Sequence, residues 1–191
     1  MNLYISDLHF GHTNVIKHDQ RPFTSVDEMD RVLIELWNAR VSNEDHVYIL
    51  GDFCYKSGRQ EQWYLKQLRG HKHLIVGNHD DKLLGNAEAM KLLESVDKML
   101  RIKDGNEDVI LCHYPLASWD KERHGAWHIY GHIHAAKREV RQEAAEYMKN
   151  KQRALNAGCM INNYMPVSLK ELIENNDRFW EEYNCIKQED T

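Results

Sequence analysis

Residues 73 to 80 read His73-Leu-Ile-Val-Gly-Asn-His-Asp80. The apolar run at the start of this segment favours a buried β-strand, and Gly77 allows the backbone to turn sharply where the strand ends. Three polar side chains follow, and each of them can bind a metal ion or carry a proton. Because polar groups without partners at the end of a buried strand would cost free energy, we expect this segment to face a ligand, a metal ion or a cleft.

The composition is that of one folded domain spanning residues 1–191. The chain has 191 residues, of which 42% are hydrophobic, and this suits a single domain with a sizeable core. No apolar segment is long enough to span a bilayer, and the first residues do not form a secretory signal, so we expect a cytoplasmic location. The segment 177–191 carries Phe179, Trp180 and Tyr183 and then turns polar, which predicts a frayed C-terminal tail.

Charge and cysteine usage exclude several classes of function. The formal net charge of −5 gives no general reason to expect binding along a nucleic acid. The four cysteines show no Cys-x-x-Cys spacing, so we predict reduced, packed thiols rather than a zinc ribbon or a thioredoxin-like site. Histidine is the unusual residue, with 12 copies. Three of these, His46, His71 and His73, are predicted to be surface or strand-edge residues without a role.

The polar ending at residues 77–80 is one of five similar strand endings. Helical patterns separate the first three endings, and Ser25-Val-Asp-Glu28 predicts a capping box at the start of one such helix. Ligand sites in open α/β sheets form at the carboxyl ends of strands, so a sheet-based fold would bring the five endings together. They are Asp7-Leu-His9, Gly51-Asp52, Gly77-Asn-His-Asp80, His113 and Gly131-His-Ile-His134.

Three further elements are predicted after residue 135. Short strands are expected at Arg138 to Arg141 and at Arg153 to Ala157, with helix-forming residues between them. A second capping box, Ser168-Leu-Lys-Glu171, predicts a C-terminal helix.

The side chains at the five endings offer imidazole nitrogens and amide or carboxylate oxygens. Such donors suit Mn²⁺, Fe, Co, Ni or Zn²⁺ better than Ca²⁺ or a cysteine-type zinc site. Seven donors are too many for one tetrahedral ion and suit two ions with a carboxylate between them. The candidate metal ligands are Asp7, His9, Asp52, Asn78, His113, His132 and His134.

The order of these motifs resembles that of the calcineurin-like metallophosphoesterase family, a family with a dinuclear metal site. The continuation Phe10-Gly-His12 and the segment 162–166 resemble its small single-domain bacterial and phage members. The resemblance implies an α/β fold, a four-layer α/β/β/α sandwich of two mixed sheets flanked by helices. It also implies two divalent metal ions at the strand ends, with Mn²⁺ expected first and Fe, Zn²⁺, Ni or Co as alternatives.

The resemblance also assigns roles to the residues. His79 would stay off the metals and assist the leaving oxygen, with Asp80 orienting its ring, while a hydroxide between the metals attacks phosphorus in line. The ligand roles would be Asp7, His9 and His134 on the first metal, Asn78, His113 and His132 on the second, and Asp52 bridging.

These roles imply a metal-dependent phosphoester hydrolase. An open site without an evident cluster for a terminal dianion favours a phosphodiesterase. A phosphomonoesterase acting on a small phosphorylated metabolite or nucleotide is the first alternative, and a non-catalytic scaffold of the same fold is the second. A scaffold would be expected to have lost metal ligands or His79, and this chain has them all.

The expected partner is a small-molecule or nucleotide phosphoester substrate, with no membrane involved and no prediction of the oligomeric state. An arginine fork suits phosphate, and tryptophan can stack on a ring, so polar and aromatic residues near the motifs are candidates for substrate contact. These candidates are His12, Arg21, Trp119, Arg123 and His124.

Overall fold

Strands and helices alternate through much of the chain in a computed structural model, which describes residues 1–135 and 139–189. The strands are β1 (Asn2–Ile5), β2 (His46–Ile49), β3 (His71–Ile75), β4 (Ser95–Asp97), β5 (Met99–Asp104), β6 (Glu107–Cys112), β7 (Trp127–Tyr130) and β8 (Ala154–Asn156). The α-helices are α1 (Thr13–His18), α2 (Val26–Arg40), α3 (Glu61–Leu65), α4 (Asp81–Leu84), α5 (Ala87–Met90), α6 (Glu139–Met148) and α7 (Leu169–Glu189).

The described strands form two four-stranded sheets, in the orders β1-β2-β3-β4 and β5-β6-β7-β8. The strands of the first sheet are parallel, and this sheet gains an antiparallel neighbour at its β1 edge through the bridge between Tyr4 and Val167. The second sheet is mixed, because β5 runs antiparallel to β6 while the other pairs are parallel. The predicted α/β fold of two stacked sheets flanked by helices is confirmed.

Alternating side chains along the strands build the layers. In β1, Leu3 and Ile5 face a core that the first sheet shares with α2 and α3, whereas Tyr4 faces a core shared with the second sheet. In the second sheet, Ile110 and Tyr130 face away from the first sheet, into a core covered by α6 and α7. These three cores separate four layers in the order α/β/β/α.

The C-terminal segment is helical where the sequence predicts a frayed tail. The capping box at the start of α7 is present, since the backbone N–H and Oγ of Ser168 donate to Glu171 Oε2 at 2.8 and 2.6 Å. The helix continues to Glu189. Its residues Phe179 and Trp180 pack against the outer core, which lies between the second sheet and the helices α6 and α7. Neither α7 nor any other described helix has the length and apolar character needed to cross a membrane.

The sequence does not predict two of the strands, and one predicted strand is helical over the part that the structure describes. The side chains of β4 and β5 are exposed or only half-buried, so these strands lack the apolar run that marks a buried one. Of the strand expected at Arg138 to Arg141, Arg138 lies outside the described residues, and the rest begins α6. The strand expected at Arg153 to Ala157 is present as β8.

Candidate metal centre

The carboxyl ends of β1, β2, β3, β6 and β7 meet at one edge of the sandwich, and the turns that follow them are unusual. Five non-glycine residues there have φ angles between 50° and 68°, namely Asp7, His9, Asp52, His132 and His134. Residues with a side chain rarely adopt this left-handed conformation, and each such residue costs on the order of 1–3 kcal/mol. The surrounding structure must therefore stabilise the strained backbone at these five residues, and this fixes the directions of their side chains.

Two glycines let the turns approach each other. A Cβ atom at Gly51 would lie 2.5 Å from Nδ1 of His113, and one at Gly77 would lie 2.5 Å from Oδ1 of Asp52. Gly51 also has a φ of 81°, which glycine adopts without strain. Both positions thus need glycine for Asp52 and His113 to come together.

Four buried side chains, from Asp7, His9, Asp52 and His134, form the first group of donors. One ligand atom from each lies within 4.8 Å of the others. The Nε2 atoms of His9 and His134 are 3.2 Å apart. Oδ2 of Asp52 lies 3.5 Å from Nε2 of His9, and Oδ1 of Asp7 lies 3.5 Å from Nε2 of His134. Four donors that converge in this way suit a single transition-metal ion.

A second group, formed by Asn78, His113 and His132, lies beside the first. Oδ1 of Asn78 is 3.1 Å from Nε2 of His113 and 2.9 Å from Nδ1 of His132. Asp52 faces both groups, because its Oδ1 lies 3.7 Å from Nε2 of His113 while its Oδ2 faces His9. All seven side chains singled out from the sequence are thus brought together, with Asp52 between the two groups.

Hydrogen bonds decide which nitrogen of two imidazoles faces the centre. Nδ1–H of His113 donates to the Leu50 carbonyl at 2.7 Å, and Nδ1–H of His134 donates to Asp19 at 2.5 Å. In the neutral rings, Nε2 then carries a lone pair. Nε2 of His113 nevertheless faces the side-chain oxygen of Asn78, which is also an acceptor. A cation between two such acceptors would satisfy both.

The protonation of the donors also fits cation binding. Burial lowers the pKa of His9 well below its ordinary value, and burial with the nearby His113 lowers the pKa of His132 to about 4, so both imidazoles keep their lone pairs at neutral pH. Burial and the neighbouring Asp7 raise the pKa of Asp52 to about 7, because negative charges are close together in a dry site. A divalent cation would offset that repulsion.

Asp80 holds the backbone and not the His79 ring. Its carboxylate is fully buried and accepts hydrogen bonds from the backbone N–H groups of Asp52, Phe53 and Gly77 at 3.0, 2.9 and 2.8 Å. The predicted orientation of His79 by Asp80 is not supported, because the hydrogen bonds that the structure shows for this carboxylate go to backbone amides. Asp80 acts on the His79 ring only through its charge, which opposes the lowering of the His79 pKa by burial. Asp80 instead fixes the turn that carries Asp52.

His79 lies at the rim of the donor groups. Its backbone N–H donates to Oδ1 of Asp52 at 2.9 Å, which fixes the position of the residue. Its half-buried ring packs on Tyr55, with ring centroids 4.0 Å apart, and lies 5.5 Å from the ring of His9. Sequence reasoning missed Tyr55, since an aromatic residue in a loop gives no signal of what it packs against.

Of the predicted substrate contacts, His12 lies beside the donor groups, whereas the Arg21 side chain is buried and faces the protein interior. The His12 ring is 5.6 Å from that of His9 and 4.9 Å from that of Tyr55. Arg21 is buried, and its guanidinium donates to the backbone carbonyls of Asp7 and Leu8 at 2.8 and 2.9 Å. The prediction that Arg21 contacts substrate is wrong, because it supports the ligand loop from within.

The segment that carries Trp119, Arg123 and His124 lies away from the donor groups. Trp119 packs in the outer core, and its Nε1–H donates to the carbonyl of Ala126 at 2.8 Å. Arg123 lines a surface pocket with Arg153, and His124 belongs to the same short 3₁₀ turn as Arg123. Because this turn precedes β7, it lies at the amino end of the strand, so these three predicted contacts are wrong.

Asp19 is a functional residue that sequence reasoning missed. It accepts the hydrogen bond from His134 and a second one from Arg21 at 3.3 Å. Burial alone would raise the pKa of Asp19, but the hydrogen bond from His134 and the charge of Arg21 lower it. A carboxylate on the outer nitrogen of a histidine fixes the ring for metal binding. In the sequence, Asp19 lies in a polar loop far from His134, so nothing there indicates that the two residues are hydrogen-bonded.

Comparison with known proteins assigns the family. An uncharacterized protein of Methanocaldococcus jannaschii is 32% identical, over 89% of this chain and 88% of that protein. The gene 66 protein of Mycobacterium phage L5 is 30% identical, over 69% of this chain and 76% of its own length. A crystal structure of a protein of unknown function from Aquifex aeolicus, 25% identical, covers 91% of this chain and 98% of its own, with a TM-score of 0.67. Residues 1–166 match the family model described as the calcineurin-like phosphoesterase superfamily domain, and the chain belongs to that superfamily.

Proposed function

We propose that the chain is a metal-dependent phosphodiesterase that holds two divalent cations. The observation that carries the proposal is a set of seven donors, shared between two groups by Asp52, with the His79 imidazole beside them. When bound, a pair of cations supplies a water activated for attack and offsets the charge of the phosphoryl oxygens. The first cation would be held by Asp7, His9 and His134, and the second by Asn78, His113 and His132, with Asp52 between them.

His79 is the residue that we propose to carry the proton to the leaving oxygen. The bond from its backbone N–H to Asp52 and the packing of its ring on Tyr55 hold the imidazole at the rim. A positioned histidine can move a proton near neutral pH. Because burial lowers the pKa of His79 below its ordinary value, the negative charge of a bound phosphoester would be needed to favour the protonated ring. Because the neighbouring Asn78 is a candidate ligand, one turn after β3 would place both a metal donor and a proton donor.

The side chains around the donors favour a diester over a monoester. Rings of His12, Tyr55 and His79 flank the first group. On the other side, the Tyr114 ring packs against His132 with a centroid distance of 4.8 Å, and 45% of the residue is exposed. Rings can stack on the second ester group of a diester. A terminal dianion would call for a guanidinium or ammonium group, and Lys56, with its Nζ 5.1 Å from the Tyr55 ring centroid, and Arg141, 3.6 Å from Asp19, keep the monoesterase as the alternative.

Hydrolysis of bis-p-nitrophenyl phosphate compared with that of p-nitrophenyl phosphate tests this proposal. The protein is assayed with Mn²⁺ and then with Fe²⁺, Zn²⁺, Ni²⁺ and Co²⁺, and we expect the diester to be hydrolysed faster. Faster hydrolysis of the monoester would overturn the diester preference. A complete lack of turnover of both substrates with every metal would overturn the proposed enzyme.

The variant His79→Ala tests the proton-transfer role. We expect it to keep its metal content and to lose about 10²–10⁴-fold in rate, the usual contribution of general acid catalysis. His124→Ala is the control, because His124 is exposed and lies at the other end of β7. If His79→Ala lost metal and added metal restored the full rate, the proposed role would be wrong.

A further inference from the structure

Three histidines lie together at the amino ends of β2 and β3 in the first sheet, at the opposite end of these strands from the candidate metal centre. His46 begins β2, and His71 and His73 lie in β3. In the register of these parallel strands, His46 pairs with His71 and Tyr48 pairs with His73. Residues two apart on a strand share a face, so the three imidazoles project from the same side of the sheet. The prediction that these histidines are surface or strand-edge residues without a role does not anticipate this cluster.

Two of the three imidazoles, those of His46 and His73, already have ring nitrogens close to the spacing of a metal site. Nδ1 of His46 lies 2.9 Å from Nε2 of His73, and two nitrogens bound to one tetrahedral ion at about 2.0–2.1 Å would be about 3.3 Å apart. The ring centroid of His46 lies 4.9 Å from that of His71 and 5.2 Å from that of His73. The two histidine pairs of the candidate metal centre have centroid distances of 5.0 and 5.2 Å and are tilted by 48° and 74°. His46 is instead stacked on His71 and His73, at 22° and 27°, so a ring has to rotate before all three nitrogens can meet at one ion.

Two of the rings are held from behind by residues next to or within β4. Nδ1 of His71 is 2.8 Å from Oε1 of Glu94, and Nδ1 of His73 is 3.0 Å from Oγ of Ser95. A carboxylate or hydroxyl on the outer nitrogen leaves the other nitrogen of a ring for a metal ion and sets the orientation of that ring. His73 is also packed on Tyr48, with ring centroids 4.7 Å apart, so its position is constrained on two sides.

We propose that His46, His71 and His73 bind one further transition-metal ion. Nδ1 of His46 and Nε2 of His73, which already lie 2.9 Å apart, supply two ligands, and the ion replaces the hydrogen bond between them. The His71 ring rotates out of its stacking on His46 while its Nδ1 stays at Glu94, so that its Nε2 supplies the third nitrogen. The fourth position is open to water. Because all three donors are imidazoles, the site suits Zn²⁺, Ni²⁺ or Cu²⁺. The bound ion would link β2 to β3 at the amino ends of these two strands.

Metal stoichiometry of the protein tests the proposal. Equilibrium dialysis against Zn²⁺ or Cu²⁺ should show one more bound equivalent in the wild type than in His46→Ala or His73→Ala. His46 is exposed at the start of its strand, so we expect His46→Ala to fold and to keep the hydrolytic activity of the wild type. His124→Ala, which removes an exposed histidine outside the cluster, should bind as many equivalents as the wild type.

A spectroscopic measurement gives a second readout that does not depend on hydrolysis. With Cu²⁺, the wild-type spectrum should contain a component with nitrogen hyperfine splitting that His46→Ala lacks. Equal stoichiometry and equal spectra in the wild type, His46→Ala and His73→Ala would overturn the site. An equal loss of metal in His124→Ala would also overturn it, because binding would then be adventitious to any exposed imidazole.

Discussion

The buried carboxylate of Asp80 joins two of the turns that carry the candidate ligands. It accepts N–H groups from Asp52 and Phe53 after β2 and from Gly77 after β3. Hydrogen bonds to a charged group contribute about 1.5–3 kcal/mol each, and a buried amide left without its acceptor costs further free energy. Asp80 therefore contributes to the stability of the fold and to the position of Asp52.

Replacement of Asp80 by asparagine tests this role. An asparagine side chain offers one oxygen in place of two and turns an NH₂ group toward backbone donors, so we expect Asp80→Asn to lower the free energy of unfolding by about 3 kcal/mol. Urea denaturation measures the change. The neighbouring Asp81 is exposed, and Asp81→Asn should remain within about 0.5 kcal/mol of the wild type. Equal midpoints for the two variants would contradict the prediction.

Asp19 should control metal affinity without binding metal itself. Its hydrogen bond at 2.5 Å holds the His134 ring with Nε2 toward the other donors. Loss of such a partner commonly weakens metal binding by about 10–100-fold, and we expect this change for Asp19→Asn in a Mn²⁺ titration. Asp27→Asn, on the exposed first turn of α2, should bind Mn²⁺ as the wild type does. An unchanged affinity in Asp19→Asn would show that the His134 ring is held by other contacts.

The candidate ligands could be found from the sequence, whereas the residues that support them could not. Each ligand follows an apolar run, so its place at the end of a strand is encoded locally. Arg21 and Trp119 instead bond to the backbone carbonyls of Leu8 and Ala126, and every residue type supplies a carbonyl. Such partners leave no pattern in the sequence, and the sequence therefore predicts substrate contacts for both residues instead.

At the scale of elements, burial decides which segments the sequence predicts. The apolar strands β1, β2, β3, β6 and β7 are predicted because they face cores on one or both sides. Capping residues mark helix starts equally well, since Oγ of Ser25 accepts the backbone N–H of Glu28 at the start of α2. The polar edge strands β4 and β5 depend on pairing with their neighbours, and that information lies elsewhere in the chain.

His128 joins β6, β7 and the loop between them through a neutral ring. Its Nδ1–H donates to the carbonyl of Ile110 at 3.1 Å, and its Nε2 accepts the backbone N–H of Leu116 at 3.1 Å. Burial lowers the pKa of His128 to about 4, against about 6.5 for an unfolded chain. As pH falls, the unfolded state takes up a proton first, so this stability is lost from about pH 6.5 down to about pH 4.

Unfolding experiments at two pH values test the contribution of His128. When the pH is lowered from 7.5 to 5, the titration of His128 should lower the unfolding free energy of the wild type by about 2 kcal/mol. In His128→Gln the titrating group is gone, so we expect the loss between the two pH values to be smaller by that amount, even though the variant starts from lower stability. An identical pH dependence in both proteins would show that His128 is not the group that responds.

At the scale of the whole molecule, α7 supports the site from beyond the segment that matches the family model. Oδ1 of Asn176 accepts the backbone N–H of Asn156 at 2.7 Å, and Nδ2 of Asn176 donates to the Asn156 carbonyl at 3.0 Å. Asn176 thereby takes the place of a neighbouring strand beside β8. Nδ2 of Asn156 in turn donates to the His134 carbonyl at 2.6 Å, so the helix is connected to a candidate ligand through β8.

The candidate ligands come from both sheets, so bound cations should stabilise the sandwich as a whole. Ligand at about 1,000 times its dissociation constant adds about 4 kcal/mol per site, and for a chain of this length each kcal/mol raises Tm by about 2–4 °C. We therefore expect saturating Mn²⁺ to raise Tm by at least about 8 °C relative to protein in EDTA, measured by calorimetry. Asp52→Asn, which alters the carboxylate between the two groups, should lose most of this shift, and Asp27→Asn should keep it. An equal shift in wild type and Asp52→Asn would place the stabilising ion elsewhere in the molecule.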